Sequence, residues 1–172
     1  MSLIVETGTS DPNAESYVSV VQADLYHTNI GNANWLTMLT VEKEQALRRA
    51  LAYMTAMYRL RWQGYRTMLF QGLDWPRWNV LLTDSWPGRY LPSTVMPQPV
   101  MDAQCDYAIL AAAGDLDPVL SQNIISKQVG TIKVVYDQSS TQQKRYTAIE
   151  SKMQIYFAPA SRSSNLVTLN RC

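Results

Sequence analysis

Soft metal ligands are scarce in this chain: one histidine, His27, and two cysteines, Cys105 and Cys172, far apart along the sequence. No second His or Cys stands at ligand spacing around His27, so neither a zinc site nor a histidine-based triad is supported. A surface or packed helical histidine is the expectation. The cysteines form no CxxC pair and no secreted disulfide framework. The phosphate-cradling GxxxxGK[ST], a GxGxxG after a strand and the GxSxG elbow are all missing. The acidic pairs Glu42 with Glu44, Asp102 with Asp106 and Asp115 with Asp117 read as solvated helix faces and caps rather than as acid and base. The expectation is therefore no enzyme, no cofactor and no metal.

Long apolar runs are also lacking. Nothing approaches the roughly 18–20 residues that a membrane-spanning helix needs. The opening MSLIVETGTSDP has no basic region followed by an apolar stretch. A soluble chain made in a reducing compartment, with no membrane partner, is expected. Charge of one sign is missing too: 15 basic and 14 acidic side chains leave a net charge of +1. No global field holds such a protein on nucleic acid, so any DNA contact must be local. Charged residues make up 17% and apolar ones 47% of 172 residues, which suits one domain with a single core and attached arms.

Helical periodicity is present in four places. Ser19 followed by Gln22 is a capping-box pattern that opens a helix over about 19–30, with Val21, Leu25 and Thr28 on one face and Gly31 as the stop. Thr40 can cap a second helix with Glu42 and Glu44 near its positive end, and Leu47, Ala50, Leu51, Met54 and Tyr58 form an apolar stripe. Pro97 or Pro99 can open a third, with Val100, Ala103, Tyr107, Leu110 and Ala111 together, ending at Gly114. Tyr146, Ile149, Met153 and Tyr156 mark a fourth, stopped by Pro159. From Ile124 to Tyr136, β-branched residues and alternation predict two short strands about Gly130. The alternating tail LVTLNRC is too short to be stable alone and could add to another sheet.

Between Arg61 and Pro99 the period disappears, and tryptophans and prolines accumulate. Trp75-Pro76-Arg77 reads as an anchored turn whose tryptophan fills a core pocket, with a ligand platform as the alternative. Arg48, Arg49, Arg59, Arg61, Arg66 and Arg77 are interleaved with Tyr53, Tyr58, Trp62 and Tyr65. Arginine with aromatics serves single-stranded nucleic acid, because bases stack on rings while cations meet phosphates. The same residue types serve protein interfaces and ordinary packing.

Several segments taken in order, LIVETGTSDPNAESYVSVVQADLYHTNIGNANW, EKEQALRRALAYM, YRLRWQGYRT, LDWPRWNV and VGTIKVVY, resemble a family of tailed-phage proteins over most of residues 3–136. The family carries a DnaT-like single-stranded-DNA-binding label, while its members look like head-completion or head–tail connector proteins. The resemblance implies a mainly α fold: a small helical bundle adaptor with a β-hairpin arm (122–136) and an extended C-terminal tail (160–172), all one domain over 1–172. It implies a structural virion protein at the head–tail interface, made in the host cytoplasm. Its partners would be copies of itself in a dodecameric ring, the portal protein, the next tail or nozzle protein, and packaged DNA passing through the channel. It brings no catalytic residues.

In that reading Trp75, Arg77 and Trp78 in the loop, Ile132, Val134 and Tyr136 in the arm, and Leu166, Val167 and Leu169 in the tail form subunit or partner interfaces. The alternative is a single-stranded-DNA-binding protein of phage replication that uses Arg48, Arg49, Arg59, Arg61 and Arg66. Salt-sensitive DNA binding separates the two.

Overall fold

The computed structural model describes residues 3–85, 87–118 and 145–159 in full, and the backbone of 124–128 and 133–136. The chain is mainly helical, with small two-stranded antiparallel sheets. Helix α1 (Val20–Asn29) begins at the expected capping box: the Gln22 N–H donates to Ser19 Oγ at 3.2 Å, and the Ser19 N–H donates to Gln22 Oε1 at 2.8 Å. Gly31, at φ +74°, lets the chain leave the helix.

The face of α1 that carries Val21, Leu25 and Thr28 is turned to solvent, with Val21 78% and Leu25 62% exposed. Ala23 and His27 point inward instead. The reason lies in the polar residues. Asp24 accepts from the Trp35 indole N–H at 2.7 Å and pairs with Lys43 at 2.8 Å, while the His27 ring packs 4.5 Å from Trp35. Trp35 belongs to the short helix α2 (Ala33–Leu36) and Lys43 to α3 (Thr40–Tyr58). Satisfying these groups fixes the rotation of α1, since leaving them buried and unpaired costs more than exposing two aliphatic side chains.

His27 is the chain's sole histidine and is fully buried, and burial pushes its imidazole below the ordinary value against the opposing pull of Asp106 and Asp24. A depressed folded value means that the unfolded chain binds the proton first. Stability is therefore whole above about pH 6.5 and falls as pH drops from there through the folded value, by at most about 1.4 kcal/mol per pH unit. We expect the melting temperature to decline between pH 7 and 5.5, and His27→Gln to flatten that decline. Identical slopes in the two proteins would refute the assignment.

In α3 the predicted stripe is realised, and Leu47, Ala50, Leu51, Met54 and Tyr58 are all buried. Its cap differs from expectation: the Glu42 carboxylate accepts the Leu39 N–H at 2.9 Å, so Thr40 is the first helical residue rather than the cap. Helix α4 (Gln98–Ala113) follows Pro97, carries Pro99 in its first turn and ends at Gly114. Val100, Ala103, Tyr107 and Ala111 are buried against α3. Helix α5 (Thr147–Met153) packs on α4, with Ile149 and Met153 buried, and continues as a 3-10 turn over Gln154–Tyr156 whose buried Tyr156 meets Trp75 edge to face at 5.7 Å.

One buried amide ties the centre together. Gln104 of α4 accepts the Tyr17 N–H at 2.9 Å and donates to Ser16 Oγ at 2.8 Å and to the Leu47 carbonyl at 3.1 Å.

The segment between α3 and α4 holds two small ribbons that carry no readable period. Strand β1 (Tyr65–Arg66) pairs with β2 (Arg77–Trp78), and β3 (Leu81–Leu82) pairs with β4 (Arg89–Tyr90). Trp62 and Trp75 meet edge to face at 5.6 Å beneath them, and the Trp75–Pro76 peptide is cis. The expected arm is present in backbone outline, β5 (Ile124–Gln128) antiparallel to β6 (Lys133–Tyr136), which places Val134 and Tyr136 on β6. Gly130, Ile132, Trp86 and the tail with Leu166, Val167 and Leu169 lie outside the described residues. Among the described residues no helix is long and apolar enough to cross a membrane.

Candidate nucleic-acid interface

The structure disperses the arginines that the sequence groups together. Arg48 is held by Glu15 at 2.8 Å and Glu44 at 3.5 Å. Arg61 pairs with Glu150 at 3.3 Å and lies over the Phe157 ring at 4.4 Å. Arg66 donates to the carbonyls of Gln71 at 3.2 Å and Leu69 at 3.4 Å. Arg49 and Arg59 are exposed, but ten residues of α3 separate them by about 15 Å along the axis. No single basic stripe results.

Arg77 is buried and acts as a fastener, donating to the carbonyls of Gln63 at 2.7 Å, Gly64 at 2.8 Å and Asp74 at 3.2 Å. Burial lowers its affinity for a proton, while Asp74 and Tyr17 oppose that. The neighbouring Asp74 carboxyl is raised by burial and lowered by the fields of Arg59, Arg77 and Arg66. Arg59 stands 3.6 Å from it with its guanidinium on the surface. Trp75 is completely buried, as expected of an anchored turn, and in this conformation neither it nor Arg77 faces a partner.

Trp78 is different. In the antiparallel register Tyr65 stands opposite Trp78, with the ring centroids 5.6 Å apart and the planes tilted by 37°. Both rings face solvent, Tyr65 62% and Trp78 52% exposed. The tight ribbon depends on Gly64 at φ +63°, where a Cβ would fall 2.1 Å from the Trp78 carbonyl oxygen. Gln63 fixes the ribbon to its surroundings: its N–H donates to the Tyr156 carbonyl, its side-chain amide donates to Ile155 O at 2.7 Å, and its Oε1 accepts the Leu81 N–H at 3.2 Å. Strand β4 adds an exposed Arg89 and an exposed Tyr90 beyond Leu81.

The connection from β1 to β2 is equally well held. Buried Gln71 accepts the Met68 N–H at 2.9 Å and donates to Leu73 O at 2.8 Å and Pro76 O at 3.1 Å. Thr67 bonds to Ser10, and Ser10 belongs to a turn whose N–H groups at Gly8, Ser10 and Asp11 converge on the Glu6 carboxylate at 2.7–2.9 Å. Met68, Leu69 and Phe70 project outward from this frame, Phe70 being 81% exposed.

Two solvent-facing rings on a fixed ribbon are the kind of feature on which bases stack. A family model described as "Putative DnaT-like ssDNA binding protein" matches residues 1–172. The chain belongs to this family. No curated protein and no solved structure matches it.

The DnaT-like family description overturns the connector expectation. It points to single-stranded DNA, and nothing in it refers to a portal, a tail protein, a virion or a twelve-fold ring. Sequence reasoning noted Tyr65 and Trp78 without seeing that they pair, and it overlooked Phe70, Arg89 and Tyr90. The apolar triplet Met68-Leu69-Phe70 between Thr67 and Gln71 was the available signal, because three such residues in a turn have no core to enter.

Proposed function

We propose that this DnaT-like protein binds single-stranded DNA, with little sequence preference, on the exposed face of the β1–β2 ribbon. The observation that carries the reading is the solvent-facing Tyr65–Trp78 pair, two rings held in fixed relation by a buried arginine and a required glycine. Any base presents a flat π face, so stacking contributes about 1–3 kcal/mol per base without reading sequence. Arg59 and Arg89, both exposed, are the arginines assigned to the phosphates in this reading. The near-neutral total charge confines attraction to this region. The proposed role is binding, and the rings and arginines need no chemical step to perform it.

A fluorescence titration with a labelled oligothymidine across a salt series tests the reading. With two or three phosphate contacts, log K should fall against log salt with a slope of about −1.4 to −2. No binding at low ionic strength, or a flat salt response, would overturn it.

A further inference from the structure

The loop that joins β1 to β2 does something that stacking alone does not require. Met68, Leu69 and Phe70 are consecutive, exposed and apolar, while Thr67 and Gln71 on either side are fixed by hydrogen bonds to Ser10, Leu73 and Pro76. Arg66 clamps the loop from within by donating to two of its carbonyls. A loop built this rigidly around side chains that avoid water has its shape settled before any partner arrives, which lowers the entropy lost on binding.

We propose that Met68, Leu69 and Phe70 form an apolar wedge that seats against the terminal base pair where a duplex opens into the strand held by Tyr65 and Trp78. This rests on the single-stranded-DNA reading above, and it names the form of DNA that the site prefers.

Three arguments favour that occupant. The loop follows Tyr65 directly, so Phe70 lies within about 17 Å of the platform. Residues 66–72 contain one arginine and no carboxylate, which suits an anionic partner and gives it no repulsion. Three adjacent side chains also cover more than one base, whereas the end of a duplex is a flat apolar face two bases wide. Leu, Met and Phe are residue types that proteins place against base steps.

The test uses the full chain and two fluorescently labelled probes, an oligothymidine and a hairpin carrying the same oligothymidine as an overhang. The wild-type protein should bind the hairpin with overhang about tenfold more tightly, in line with one additional stacked face. Leu69→Ser with Phe70→Ser, both at exposed positions, should leave affinity for the plain strand unchanged and abolish the difference. Equal wild-type affinity for the two probes, or equal losses on both in the variant, would overturn the wedge and leave the platform standing. Failure of the wild-type protein to bind either probe would overturn both.

Discussion

Removing both rings of the ribbon, Tyr65→Ala with Trp78→Ala, is expected to lower affinity for single-stranded DNA by about a hundredfold while the protein stays folded. Stacking contributes about 1–3 kcal/mol per base, so losing two rings that hold separate bases gives about 2–6 kcal/mol, and a hundredfold, about 2.7 kcal/mol, lies in the lower half of that range. The cost to stability is much smaller. Both side chains already face solvent, and a cross-strand pair contributes only about 0.2–1 kcal/mol to a sheet. Affinity and melting temperature should thus separate. Trp78→Phe keeps a π face and should retain most of the binding. Anisotropy titrations of the two variants beside the wild-type protein would decide the matter, and wild-type affinity in the double variant would rule out the platform.

Gln104→Leu should have the largest effect on stability of any single substitution considered, a loss of about 3–5 kcal/mol. Leucine is close to glutamine in size, so the cavity term is small. The damage is polar. Tyr17 loses the acceptor for its N–H, while Ser16 Oγ and the Leu47 carbonyl lose a donor. All three lie in the buried centre; the stranded Tyr17 N–H costs about 1–3 kcal/mol, while Ser16 Oγ, which keeps its bonds to Val18, and the Leu47 carbonyl, which lies within α3, each lose one bond of about 0.5–1.5 kcal/mol. Against a typical total of about 5–15 kcal/mol, that is a large fraction. Urea unfolding should show a lower midpoint with an unchanged slope. A shift below about 1 kcal/mol would mean that the network is dispensable.

The helices that build the core were legible because their information is local and periodic. Leu47 to Tyr58 in α3 and Val100 to Ala111 in α4 repeat at helical spacing, and burial follows the repeat. The bounds of helix α1 were legible, but the face it buries was not, because its orientation is set by Trp35 and Lys43, which take up Asp24 from outside the helix. Strands of two residues contain no measurable alternation, so the ribbons that carry the site could not be read. Arginine identity was plain, yet its use was not. Arg77 and Arg66 spend their donors on backbone carbonyls, and only the folded chain shows which cations are left for a ligand. The connector expectation came from a resemblance that brought no catalytic residue with it, whereas the arginine and aromatic pattern left nucleic acid, a protein interface and ordinary packing open, and the family description favours the first.

The Gln104 amide also has a bearing on synthesis at the ribosome. Ser16 leaves the exit tunnel 88 residues ahead of the glutamine that it needs. At about 5–20 residues per second, the leading segment waits roughly 4–18 s for its partner. Helix α3, built on neighbours in sequence, can form during that interval, but the core cannot close around it until α4 has emerged. The nascent chain therefore passes through a stage with its central helix made and its apolar face uncovered, the stage at which a chaperone would find it.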